Sequence, residues 1–157
     1  MTKKEAPQYR WKQRGIISLW RYTENSRNHS GWHLSADAAG CASLLELLQA
    51  LHACPESVYR TVHITPPSPS TLKVPNFRSK WVAPTKWRIA LEPNKESTSL
   101  WSIEIQEDSV QLTLGGAMFQ ELANGITDIS RGEGDYSIGG SDRQSRLWFW
   151  WWLDKVS

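Results

Sequence analysis

A chain of 157 residues with 39% hydrophobic and 22% charged side chains has the balance of one globular domain with a genuine core, and is short for two. No apolar run reaches bilayer-spanning length, and Met1 to Glu5 lead into polar sequence without an apolar signal core, so no membrane association and a cytoplasmic location are expected. The net charge of +2 hides a segregation: residues 1–91 hold 13 Lys and Arg against 5 Asp and Glu, residues 92–157 hold 5 against 11, and the two parts carry +8 and −6.

Residues 1–13, polar and basic with Lys3, Lys4, Arg10 and Lys12, are expected to form a loose arm ahead of a single domain over 14–157. Gly15 to Tyr22, rich in β-branched and aromatic residues, predicts a first strand, closed by a polar loop at 24–28. Ser35 is placed to cap a helix with Asp37 in its first turn. Along that helix Ala38, Cys41, Leu44, Leu45, Leu48 and Leu51 recur at threes and fours, until Pro55 stops it. Cys41 and Cys54 then lie about 20 Å apart on one helix, too far to bridge each other, and two thiols suit a reducing compartment.

Val58 to Ile64 alternates as a second strand. Four prolines among residues 65–76 predict a stiff, exposed loop with no core of its own, and Phe77 to Val82 is ambiguous ahead of Pro84. Lys86 to Leu91 predicts a third strand with Trp87, Ile89 and Leu91 inward. A hairpin follows, with Trp101, Ile103 and Ile105 on the dry side of one arm, a turn at Glu107-Asp108, and Val110, Leu112 and Leu114 on the other. Phe119, Leu122, Ala123, Ile126 and Ile129 give a second amphipathic helix, weakened by Gly125. Asp135 to Ile138 reads as a short strand turning at residues 139–142 into the run Leu147 to Leu153. The order predicts an α+β fold: a mainly antiparallel sheet of about six to seven strands with two amphipathic helices on one face.

The run Leu147-Trp148-Phe149-Trp150-Trp151-Trp152-Leu153 is apolar on both faces of a strand. Leu147, Phe149 and Trp151 are expected to pack against Leu44, Leu48, Phe119, Leu122 and Ile126. The other face, Trp148, Trp150 and Trp152, is either covered, with the N-terminal arm and the Pro-rich loop as candidate covers, or forms a ladder that binds a partner.

The Gly-rich segment 132–140 has no Lys-Ser or Lys-Thr, and Glu133 and Asp135 would repel a phosphate, so it reads as a turn. The spacing of Glu133, Asp135 and Asp142 is not that of a calcium loop. His29, His33 and Asp37 would stack as metal ligands on a helix, but Gly31 and the cap at Ser35 place them in a loop, so no metal and no cofactor are expected. No Ser, His, Asp or Cys sits in a frame that marks a nucleophile, and no catalytic residue is assigned. Residues 57–91 carry six Lys and Arg and no acid, interleaved with aromatics, which makes Arg78, Lys80, Trp81, Lys86 and Arg88 candidates for single-stranded nucleic-acid binding. The expectation that best fits the whole chain is a small non-catalytic domain that binds another protein, of the inhibitor or immunity type, through Trp148, Trp150, Trp152, Asp135 and Tyr136. The alternatives are the nucleic-acid binder and an enzyme of unassigned reaction, and the sequence does not specify an oligomeric state.

Overall fold

In the computed structural model, residues 10–23, 29–56, 58–93, 98–140 and 142–153 are described. Residues 1–9 of the expected arm and the expected loop at 24–28 lie outside them. Asp37, one residue past a strand, caps the first helix, α1 (Ala38–His52): its carboxylate accepts from Gly40 N at 2.7 Å and from Ile16 N at 2.9 Å. Gly15 adopts φ +75°, and a side chain there would collide with the start of α1, so the position calls for glycine on both counts. Leu44, Leu47, Leu48 and Leu51 bury the inner face of the helix.

The class is α+β, but the strands divide into two sheets of mixed direction. The first has the order β4-β1-β2-β9-β8, from β1 (Ile17–Tyr22), β2 (Trp32–Ala36), β4 (Trp81–Val82), β8 (Tyr136–Ile138) and β9 (Leu147–Phe149). The second has the order β3-β5-β7-β6, from β3 (Val58–His63), β5 (Lys86–Leu91), β6 (Trp101–Gln106) and β7 (Ser109–Leu114). Among the described residues five of the seven strand pairings are antiparallel, as expected, and two are parallel, β2 with β9 and β5 with β7. Strands β2 and β4 come in addition to the seven expected, and the nine form two sheets instead of one. All five residues of β2 are buried, Ser35 included, so it has no alternating pattern and Ser35 is a strand residue instead of a cap.

One core joins both sheets to α1 and to the long helix α3 (Gly116–Ser130), which contributes Leu122, Ile126 and Ile129. Leu147 and Phe149 enter this core beside Leu44, Leu48, Leu122 and Ile126, with Phe119 half-buried at its edge. Trp151 does not: β9 ends at Phe149, the alternation lapses, and Trp151 joins a second aromatic cluster instead. On the hairpin, Val110, Leu112 and Leu114 are buried as expected, but Ile105 is 57% exposed, because edge strand β6 has β7 as its only partner strand among the described residues.

The stretch expected to be an exposed loop contains the short helix α2 (Pro69–Lys73), capped by the Ser68 hydroxyl accepting from Thr71 N at 3.1 Å. Its Leu72, with Val74 and Phe77 just beyond, packs on the second cluster. Residues 10–13 are likewise docked. Trp11 is buried and donates its indole N–H to Ser43 O at 2.7 Å, Arg60 lies 5.8 Å over its ring, and Gln13 exchanges two hydrogen bonds with the His63 backbone. No described helix is long and apolar enough to cross a membrane.

Candidate binding surface

The face of the first sheet turned away from the main core carries a layer of aromatic rings. Cross-strand register sets Ser137, Trp148, His33 and Trp20 in one row over four strands, with Tyr22 paired to Trp81 beyond. Trp150 follows β9 and is held by its N–H donating to Leu34 O at 3.0 Å. Phe77 closes the layer from above, edge-on to Tyr22 at 5.3 Å and to Trp150 at 6.2 Å. Of the even-numbered side of the Trp run, Trp150 is covered, with Leu72, Val74 and Phe77 packed on its cluster, while Trp148 and Trp152 are half-buried.

His33 sits fully buried in the middle of the layer, stacked between Trp20 at 5.7 Å and Trp150 at 6.1 Å. Trp150 donates its indole N–H to His33 Nδ1 at 2.9 Å. Burial drives the His33 pKa down to about 3, opposed by the main chain of His29 and reinforced by the His29 charge, so the imidazole is neutral at physiological pH. His29 lies at the rim, tilted on Trp148 at 4.4 Å and on Phe77 at 4.6 Å, with Nε2 3.7 Å from Asp135 Oδ1.

Of the residues singled out for protein binding, Trp148 is half-buried, stacks on Trp150 at 6.3 Å and donates to Ser30 O at 3.0 Å. Trp150 is only 3% exposed and serves the layer itself. Trp152 is half-buried beyond the end of the strand. Asp135 is held at φ +66° by its N–H donating to Phe149 O at 2.8 Å, and its side chain is 63% exposed. Tyr136 is half-buried against Phe149, and its hydroxyl donates to Asp128 Oδ2 at 2.6 Å. Burial, the Asp128 carboxylate and the Glu133 charge hold that phenol protonated well above its usual range.

The residues singled out for nucleic acid are divided between the two sheets. Arg78 and Lys80 are exposed ahead of β4, and Trp81 is half-buried in the aromatic cluster. Lys86 and Arg88 stand on the outer face of the second sheet, where Arg88 lies 5.6 Å over the ring of exposed Tyr59. The His29, His33 and Asp37 set is also dispersed, since Asp37 is committed to the cap of α1. Among the described residues no three His, Cys, Asp or Glu side chains gather as metal ligands would. A cavity of about 410 Å³ lies between α1 and α3 over Leu45, Leu48, Phe119 and Ala123; its single titratable lining residue is His52, stacked on Phe119 at 4.5 Å.

What sequence reasoning missed at this surface is the role of the two histidines. Their neighbourhood to Trp148 and Trp150 depends on the parallel pairing of β2 with β9, which no local pattern encodes. No family model matches the sequence, and no curated protein is similar to it.

Proposed function

We propose that this is a non-catalytic protein-binding domain, of the inhibitor or immunity type, that docks a partner on the rim formed by Trp148, His29 and Asp135, with Trp152 further along the chain. The observation that carries this reading is Asp135: a non-glycine residue in the left-handed region, with its carboxylate exposed next to an aromatic rim. Such backbone strain tends to be retained where a side chain must be presented for function. Half-buried Trp beside a charge is also the composition of an interface hot spot. The partner this rim suits presents a cation beside an apolar side chain, to meet the exposed Asp135 carboxylate and the half-buried Trp148.

The test uses the full chain as bait and compares wild type with Asp135→Asn, which keeps a residue tolerant of positive φ, and with Ile105→Ser on the other sheet as control. A protein retained by wild type and by Ile105→Ser, weakened roughly tenfold by Asp135→Asn and eluted by salt, supports the reading. A partner indifferent to Asp135, or retention that disappears on nuclease treatment, sinks it.

A further inference from the structure

A sheet ends in rows of unpaired main-chain N–H and C=O groups, and proteins commonly blunt these edges. The first sheet does so with short outer strands, β4 of two residues and β8 of three. On the second sheet, β3 has both main-chain groups of His63 taken by the Gln13 side chain. Strand β6, the opposite edge, carries no such device. Its six residues include no Pro and no Lys, and its register with β7 runs without a bulge. The side chains on its core-facing side, Trp101, Ile103 and Ile105, are apolar, and Ile105 stands largely in solvent.

The hairpin decides which main-chain groups face that edge. Gln106 and Ser109 flank a two-residue turn as a hydrogen-bonded pair, so Glu104 and Ser102 also bond to β7. The Leu100 carbonyl keeps the same parity, accepting from Gly115 N at 2.8 Å. Trp101, Ile103 and Ile105 therefore turn their N–H and C=O groups outward, and no described residue bonds to them there. A second β6 laid antiparallel meets these groups in few two-fold registers. Centred on Glu104, the pairing opposes two carboxylates, and centred on Ser102, it leaves Ile105 against Ser99. Centred on Ile103, it sets Trp101 of one copy beside Ile105 of the other, and Glu104 beside Ser102.

We propose that β6 is a dimerisation edge, on which a second copy of this chain adds its own β6 antiparallel about a two-fold axis at Ile103. The two four-stranded sheets then run on as one. The open hydrogen bonds, the apolar row and the placing of Glu104 all match the reversed copy of the same strand. The contact is isologous and closes at the dimer. A six-residue edge buries little area, so the association belongs to the weak, concentration-dependent class. This edge lies on the other sheet from the rim assigned to a protein partner, and either assignment can fail alone.

The test is sedimentation velocity on the purified full chain from about 10 μM to about 1 mM, with amide hydrogen exchange at both ends of that range. A monomer–dimer equilibrium is expected. Ile105→Pro, which removes an outward N–H and no bond to β7, should weaken it roughly tenfold or more. Ser102→Lys, set beside Glu104 of the other copy, should strengthen it at low salt. In wild type the Ile103 and Ile105 amides should exchange fast when dilute and slowly when concentrated, while those of Ser102 and Glu104 stay protected in both. That measurement decides alone should Ile105→Pro fail to fold. A monomer at every concentration, a dimer that either substitution leaves unchanged, or growth beyond the dimer overturns the proposal. So do edge amides whose exchange ignores concentration.

Discussion

Gly125 of α3 lies directly beneath the ring of Phe149 of β9, so close that a Cβ at position 125 would overlap the ring carbons. The helix accepts a poor helix former at this place because only a hydrogen there lets helix and strand meet.

Gly125→Ala is therefore expected to destabilise the protein by about 2 kcal/mol, even though helix propensity alone would gain about 1 kcal/mol. Phe149 is fully buried, so its ring cannot swing out into solvent without exposing the core. Urea denaturation decides between the signs, and a more stable variant would show that the ring can yield.

His33 makes stability depend on pH in a defined direction. Its pKa is near 6.5 in the unfolded chain and about 3 in the folded one, so its contribution is complete above pH 6.5 and is lost as pH falls towards 3. Between pH 6 and 5, where carboxylates contribute little, unfolding free energy should fall by roughly 1 kcal/mol per pH unit. Denaturation series at pH 7, 6 and 5 on wild type and His33→Gln measure this, and the variant should lose most of the slope.

Asp135→Gly relieves a left-handed backbone at the cost of a more flexible unfolded chain, and a net gain of about 0.5 kcal/mol is expected. If the carboxylate serves binding, the same change weakens the partner complex. A variant that is more stable and binds less well is the signature to look for by thermal melting and binding titration.

Cys41 and Cys54 form no disulfide with each other. Burial, and secondarily the Asp37 charge, raise the Cys41 thiol to about 12, and its Sγ contacts Ala36 O at 3.6 Å. With a thiolate population lowered roughly a thousandfold, Cys41 should resist iodoacetamide at pH 8 while half-buried Cys54 reacts. Peptide mapping should find one modified thiol in the folded protein and two in denaturant.

The elements whose pattern contrasts a dry and a wet face were legible in the sequence: the leucine face of α1, strand β5, the β6–β7 hairpin and α3. Strand β2 was not, because His33 and Ser35 are polar yet buried, and alternation vanishes when both faces are covered. The sequence places Trp11 in a loose arm, because its docking depends on Ser43 and Arg60, distant in sequence. At the candidate surface, Asp135, Tyr136 and Trp148 stood out through the Gly-rich turn and the Trp run. The position of Trp150 at the centre of the layer, and the fate of His33, follow from strand pairing and could not be read locally.

The pairing of β2 with β9 also governs the order in which the molecule is made. Trp150 and His33 are 117 residues apart, yet they meet in the middle of the first sheet. While the chain emerges from the ribosome, β1 and β2 can pair early, but one edge of β2 stays unpaired until β9 arrives. The nascent chain thus carries an open strand edge through most of its synthesis, and its folding is timed by its last described strand.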